Sequence, residues 1–316
     1  MTGKKWGMDL KLIGFAIVCL FILLGCGDDN HYRNQTPIQL DFTLDSASQP
    51  AVKKPVVKNH LSVAVSAMIS PQETFSNYEA LMKYIGKKMN RDVEFKQRKT
   101  YKEVNDMLKK GQLDFAFICS GAYVEARREF PINLLVVPVV NGEPVYYAYI
   151  IAHKNSNINS FKDLKGKSFA FTDPLSNTGH LYPLSLINRL GEKVDVFFSQ
   201  TIYTYAHDHS IQAVARKIVD GASVDGLIFE YLKAKKPERV ENVKVIGKSQ
   251  EFGIPPVVIC PTVDPEIKME LTRIFLHMHE DPEGKEILEE LLIEKFIPGT
   301  DTAYDGIEEM MRVHRP

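Results

Sequence analysis

The 316-residue chain is poor in cysteine and tryptophan, with four of the first and one of the second. Four cysteines are too few for a disulfide-stapled scaffold. It also lacks an excess of either charge: 39 Lys and Arg face 40 Asp and Glu, for a formal net charge of -1. A nucleic-acid binder would carry a basic surplus on one face, and none is visible, so no nucleic-acid partner is expected. The nine histidines are scattered. HExxH, Cys/His spacing for a metal and a GxxxxGK[ST] loop are all missing, so neither metal nor cofactor is expected. What is present is a globular balance of 44% hydrophobic and 25% charged residues, enough for one large domain or two medium ones.

One strongly hydrophobic run stands at the N-terminus. Lys4, Lys5 and Lys11 lead into residues 12–24, which are almost purely apolar. A membrane span needs roughly 20 such residues, so this shorter run fits the core of a signal peptide. It ends Leu23-Leu24-Gly25-Cys26, which resembles the lipobox of bacterial lipoproteins. That resemblance implies a signal peptide over residues 1–25 and lipid on Cys26. A short uncleaved anchor is the alternative, and either way the remainder is tethered to a membrane outside the cytoplasm. Residues 26–59 are polar, with Pro37, Pro50 and Pro55 and no periodicity, and read as a flexible stalk. Of the other cysteines, Cys19 lies inside the apolar run. Cys119 and Cys260 could pair in an oxidising compartment or sit as buried apolar residues. Each ends an apolar strand-like run, which favours the second.

From residue 60 onward strand and helix patterns alternate. Strands are expected at 61–65, 93–95, 113–118, 134–140, 145–153, 168–171, 194–198, 221–229, 243–246 and 257–260, with helices between them and at 264–278 and 283–296. This predicts α/β architecture with largely parallel sheets. Two crossings, near Tyr147 and Gly253, divide it into lobe I (residues 60–146 and 254–316) and lobe II (147–253). Ligands of such sheets bind beyond the carboxyl ends of strands. The stretch around which the chain is organised is residues 169–183. A short strand is stopped by Asp173-Pro174. Ser176, Asn177, Thr178 and Gly179 follow, and then apolar residues recur at helical spacing. Polar donors beside the open N–H groups of a helix start can hold an anion. Taken alone, an ordinary capped helix is the commoner explanation.

The motif Asp173-Pro-Leu-Ser-Asn-Thr-Gly-His-Leu-Tyr-Pro183 resembles the Asp-Pro-x-Ser-Thr-Ser-Gly-x-x-x-Pro pattern of the phosphonate- and phosphite-binding lipoproteins of ABC importers. These are type II periplasmic binding proteins, and the likeness extends over nearly all of the folded part. It implies a two-lobed fold with two hinge crossovers that captures a phosphonate-like oxyanion at Ser176, Asn177, Thr178 and Gly179. Asn177 replaces a hydroxyl residue of the pattern by an amide. The resemblance also implies ligand contact by His207 in Ala206-His-Asp-His-Ser210, charge-assisted if the ring is protonated. Ser120 follows the strand Leu113-Asp-Phe-Ala-Phe, Tyr78 lies in the first helix, Tyr147 at the hinge and Asp225 near residues that meet an amine. Each of these is implied as a ligand contact, though His207 can also be read as a surface residue, Asp225 as an internal ion-pair partner and the tyrosines as packing. The implied partners are a small oxyanion (phosphonate, phosphite or phosphate ester), a membrane permease and the lipid anchor on the periplasmic or extracellular face, with the protein a monomer. Service to a sensor kinase is the alternative. An enzyme using Cys119 and His207 as nucleophile and base is a third reading, which no motif supports.

Overall fold

The computed structural model describes residues 60–314; the lipobox at Cys26 and the stalk fall outside the described residues. β1 (His60–Val65) is followed by α1 (Pro71–Met89), β2 (Asp92–Lys96), α2 (Tyr101–Lys109), β3 (Phe115–Phe117), α3 (Ser120–Glu129) and β4 (Asn133–Val139). The chain crosses through β5 (Val145–Tyr146) to β6 (Ala148–His153), β7 (Ser168–Phe171), α4 (Tyr182–Arg189), α5 (Val194–Phe197), β8 (Gln200–Tyr203), α6 (His207–Ala215), β9 (Gly221–Asp225), α7 (Gly226–Lys235) and β10 (Val243–Lys248). It returns through β11 (Phe252–Gly253) to β12 (Val257–Ile259), α8 (Pro265–His277), α9 (Pro282–Glu290), β13 (Lys295–Ile297) and α10 (Asp305–His314).

The strands form two main sheets, ordered β13-β4-β12-β3-β1-β2 and β10-β6-β9-β7-β8. The two crossing strands pair with each other, Phe252 opposite Tyr146 and Gly253 opposite Val145. Each sheet belongs to one lobe, and the β5–β11 ribbon carries both connections. Each sheet is mixed, where sequence alternation suggested largely parallel ones. β2 and β3 run parallel to β1, and β8 and β9 run parallel to β7. β12 runs antiparallel to both β3 and β4, and β6 antiparallel to β9 and β10. β6 and β12 are the strands that arrive from a crossing, and each runs against its neighbours.

Several local expectations change. The first helix begins at Pro71, where proline suits a first helical position. Residues 194–197 are a short helix and the strand follows at β8. The doublet Phe197-Phe198 mimics a strand, but both rings enter one aromatic cluster: Phe161 stacks on Phe197 at 5.2 Å and Phe169 on Phe198 at 4.3 Å. The strand expected over 145–153 breaks at Tyr147, where the crossing ribbon gives way to the second sheet. The helix expected over 283–296 stops at Glu290; Leu292 has φ 57°, a left-handed conformation that ends a helix, and β13 then pairs with β4. Cys119 and Cys260 are free and buried.

Candidate functional site: a buried polar cluster between the lobes

Carboxyl ends of strands from both lobes face one another. From lobe II comes the turn after β7. The Ser176 hydroxyl accepts the Gly179 N–H at 2.9 Å. Leu181 N–H reaches back to the Ser176 carbonyl at 3.0 Å, so residues Asn177–Leu181 form a wide π-type turn before α4. Such turns recur at functional sites. The turn is pinned from β9, where the Ser223 hydroxyl donates to the Thr178 carbonyl at 2.5 Å. Gly179 is required: a Cβ there would lie 2.4 Å from Thr172 Oγ1 and 3.0 Å from His207 Cε1.

His207 opens α6. The Asp225 backbone N–H donates to its Nδ1 at 3.1 Å, and Thr172 Oγ1 lies at 3.1 Å from the same atom. A backbone N–H can only donate, so Nδ1 is the acceptor and the ring proton sits on Nε2. Burial pushes the His207 pKa down to about 3. The structure therefore supplies a neutral N–H donor, where a charged imidazolium was envisaged.

Five buried polar atoms on these segments have no hydrogen-bond partner: Ser66 Oγ, Tyr101 OH, Asn177 Oδ1, Thr178 Oγ1 and His207 Nε2. An unpartnered buried polar atom costs about 1–3 kcal/mol, so a concentration of them marks a place where a polar ligand can bind. The Asn177 amide donates through Nδ2 to Tyr146 OH at 3.1 Å. Turning the amide over presents Nδ2 to the pocket and leaves Oδ1 for the Tyr146 hydroxyl.

The other expected contacts are distributed differently. Ser120 Oγ donates to the Gly253 carbonyl at 2.7 Å, tying the start of α3 to the crossing ribbon. Tyr78 packs edge-on against Phe117 at 5.2 Å; burial, and then the nearby Asp225 carboxylate, push its phenol up to about 12. Asp225 ends β9 and caps α7, accepting the Leu227 N–H at 2.8 Å, where the sequence suggested the middle of a strand. Tyr147 has the Lys248 ammonium 3.5 Å above its ring. Ser66 and Tyr101 were not singled out by sequence reasoning. Ser66 follows the carboxyl end of β1, where ligands of such sheets bind, whereas Tyr101 carries no local signal.

The lobes are closed on this pocket. His207 N–H donates to the Met68 carbonyl at 2.9 Å and Tyr101 N–H to Asp173 Oδ2 at 3.1 Å. Ser70 N–H donates to Asp208 Oδ1 at 2.9 Å. Each of these bonds spans the two lobes, and Ser176, Asn177, Thr178 and His207 are 0% exposed.

Two opposed pKa shifts meet here. Burial raises Asp225 from 3.8 to about 7 and lowers His207 from 6.5 to about 3. Between about pH 4 and 6.5 the unfolded chain binds the extra proton at His207, which makes stability rise with pH. Over the same range the folded chain binds the extra proton at Asp225, which makes stability fall with pH. The slopes offset in the parent. Asp225→Asn keeps an acceptor for the Leu227 N–H but removes the falling slope. Its melting temperature is expected to rise by several degrees, relative to the parent, between pH 4.5 and 6.5. Parallel profiles for the two proteins in a thermal melt would contradict the assignment.

Two mixed α/β lobes joined by two paired crossing strands, shut on a pocket of unpartnered polar atoms, define a two-lobed solute-binding protein. The chain belongs to the periplasmic substrate-binding proteins of phosphonate ABC transporters, whose family profile matches residues 63–304. It is 28% identical over 262 residues, 75% of this chain and 80% of the relative, to the phosphate-import protein PhnD of Mycolicibacterium smegmatis. It is 30% identical over 155 residues, 48% of this chain and 46% of the relative, to the phosphonates-binding periplasmic protein of Escherichia coli. Among solved structures, the binding-protein component of a Pseudomonas aeruginosa phosphonate transporter superposes with TM-score 0.76 at 25% identity, covering 80% of this chain and 85% of that one. PhnD1 of Prochlorococcus marinus, solved with methylphosphonate, shares the fold at TM-score 0.74 and 20% identity, covering 81% and 98%. Among the described residues no helix is long and apolar enough to cross a membrane, and no group of side chains could hold a metal ion.

Proposed function

We propose that the chain captures a tetrahedral phosphorus oxyanion at the buried polar cluster and presents it, lobes closed, to the permease of an ABC importer. The observation that carries this reading is the set of five unpartnered atoms, because a multi-oxygen anion takes several hydrogen bonds at once. Thr178, His207, Ser66 and Tyr101 donate to its oxygens, and Asn177 joins them with its amide turned over. Ser176 and Gly179 shape the turn. Tyr78, Tyr147 and Asp225 lie to one side of the oxyanion, while Ser120 holds the crossing ribbon. The lobes open about β5 and β11 and close on the ligand. A monomer is sufficient for this cycle. Lipid on Cys26 and a stalk over residues 26–59 would hold it at the membrane on the periplasmic or extracellular face. Capture without turnover is favoured because Cys119 is buried and its thiol is pushed up to about 11, mainly by burial, so it is a poor nucleophile.

A calorimetric and thermal-shift panel of phosphate, phosphite, methylphosphonate and sulfate tests this. The expected result is one-to-one binding of at least one phosphorus oxyanion, a melting temperature raised by several degrees, and no product. Absence of binding by all three phosphorus oxyanions, or the appearance of product, would sink it.

A further inference from the structure

Beside the buried polar cluster, the cleft holds a chamber of about 1130 Å³. Tyr78, Phe117 and Ile254 wall it from lobe I and Tyr147, Tyr149 and Tyr231 from lobe II. The chamber adjoins the buried polar cluster through two residues. Met68 lines the chamber while its carbonyl accepts the His207 N–H at 2.9 Å. Asp225 lines the chamber while its backbone N–H meets His207 Nδ1 at 3.1 Å. The chamber survives in the closed form, in which Lys235 of α7 already reaches Glu290 of α9 at 2.9 Å across the lobes. It also reaches solvent, since Leu292 on its wall is 37% exposed.

A bare oxyanion or a one-carbon phosphonate needs only the buried polar cluster. Sites for drug-sized ligands run to roughly 300–1,000 Å³ and are mostly apolar with a few placed polar groups, which describes the chamber. Its aromatic walls are held from behind: Tyr149 packs edge-on against Phe229 at 5.7 Å. Carboxylates outnumber ammonium groups around it, so a second anionic group on the ligand is disfavoured.

We infer that the ligand is a phosphonate or phosphate monoester with a bulky apolar substituent, its head at the buried polar cluster and its substituent in the adjoining aromatic chamber. This rests on the oxyanion reading given under the proposed function and extends it to a substrate class. Each buried methylene then raises affinity about fourfold.

The test is calorimetry of the protein with methyl-, butyl- and benzylphosphonate, repeated on Tyr231→Ala. Benzylphosphonate is expected to bind at least tenfold more tightly than methylphosphonate, with butylphosphonate between them. Tyr231→Ala is expected to reduce the benzyl advantage severalfold and leave methylphosphonate unchanged. Methylphosphonate binding as tightly as the larger ligands would overturn the chamber's role while leaving the oxyanion reading intact. Equal weakening of all three by Tyr231→Ala would overturn it too, by moving that tyrosine to the head group or to folding. Failure of every phosphonate to bind, together with phosphate and phosphite, would instead remove the oxyanion reading itself.

Discussion

Gly121→Ala is expected to lower ligand affinity on the order of 100-fold while leaving each lobe folded. Gly121 sits in the first turn of α3, on lobe I, and faces the turn after β7 on lobe II. A Cβ there would lie 2.4 Å from the Leu175 carbonyl oxygen and 2.8 Å from the Asn177 backbone nitrogen. Both obstacles are backbone, so neither can rotate aside. They belong to the opposite lobe, so the clash arises only on closure. Separating the lobes by the missing distance breaks the bonds from Tyr101 to Asp173 and from His207 to Met68, and it admits water to the pocket. A loss of about 2.8 kcal/mol, two factors of ten in affinity, is the scale expected from several such bonds. Calorimetry gives the affinity and small-angle scattering the lobe separation. The variant should keep a normal melting transition and an expanded radius of gyration even with ligand present. Parent-like affinity with ligand-induced compaction would show that closure does not bring α3 against this turn.

The second large effect is at Thr178, where affinity and stability are expected to part. Thr178→Val keeps the shape and removes only the hydroxyl. That hydroxyl is buried without a protein partner, so its loss should leave the melting temperature of the free protein unchanged or raised. With a charged ligand the same hydroxyl makes a hydrogen bond worth about 1.5–3 kcal/mol. Affinity for methylphosphonate or phosphite should therefore fall roughly 10- to 100-fold. The backbone of the turn is held independently by Ser176 and Ser223, so the pocket keeps its form. Undiminished affinity would mean that Thr178 does not face the ligand. A large drop in stability would mean that its hydroxyl has a structural partner.

Much of lobe architecture was legible because it is written in local pattern. Strand, polar turn and apolar helix after Phe169 are a sequence of periods, and the structure keeps them. Where the reading slipped, a non-local contact outweighed the local signal. Phe197 and Phe198 look like a strand until Phe161 and Phe169 are placed beside them. Residues 295–297 look like the end of a helix until β4 offers an edge to pair with. Asp225 looked like a charge inside a strand and is a cap, because the strand ends at Asp225, four residues before the expected end at 229.

The sequence alone determined the alternation of elements, the two crossings and the place of the polar turn, since these follow from spacing along one segment. It could also name His207, from a motif. It could not decide the charge of that ring, because the depressed pKa comes from burial and the tautomer from a backbone N–H eighteen residues away. Nor could it find Tyr101 and Ser66, or show that Ser120 is already bound to Gly253. Those are facts about which groups are left without partners once two lobes meet. Satisfaction of a buried hydrogen bond is a property of both of its ends, and here the ends lie on different lobes.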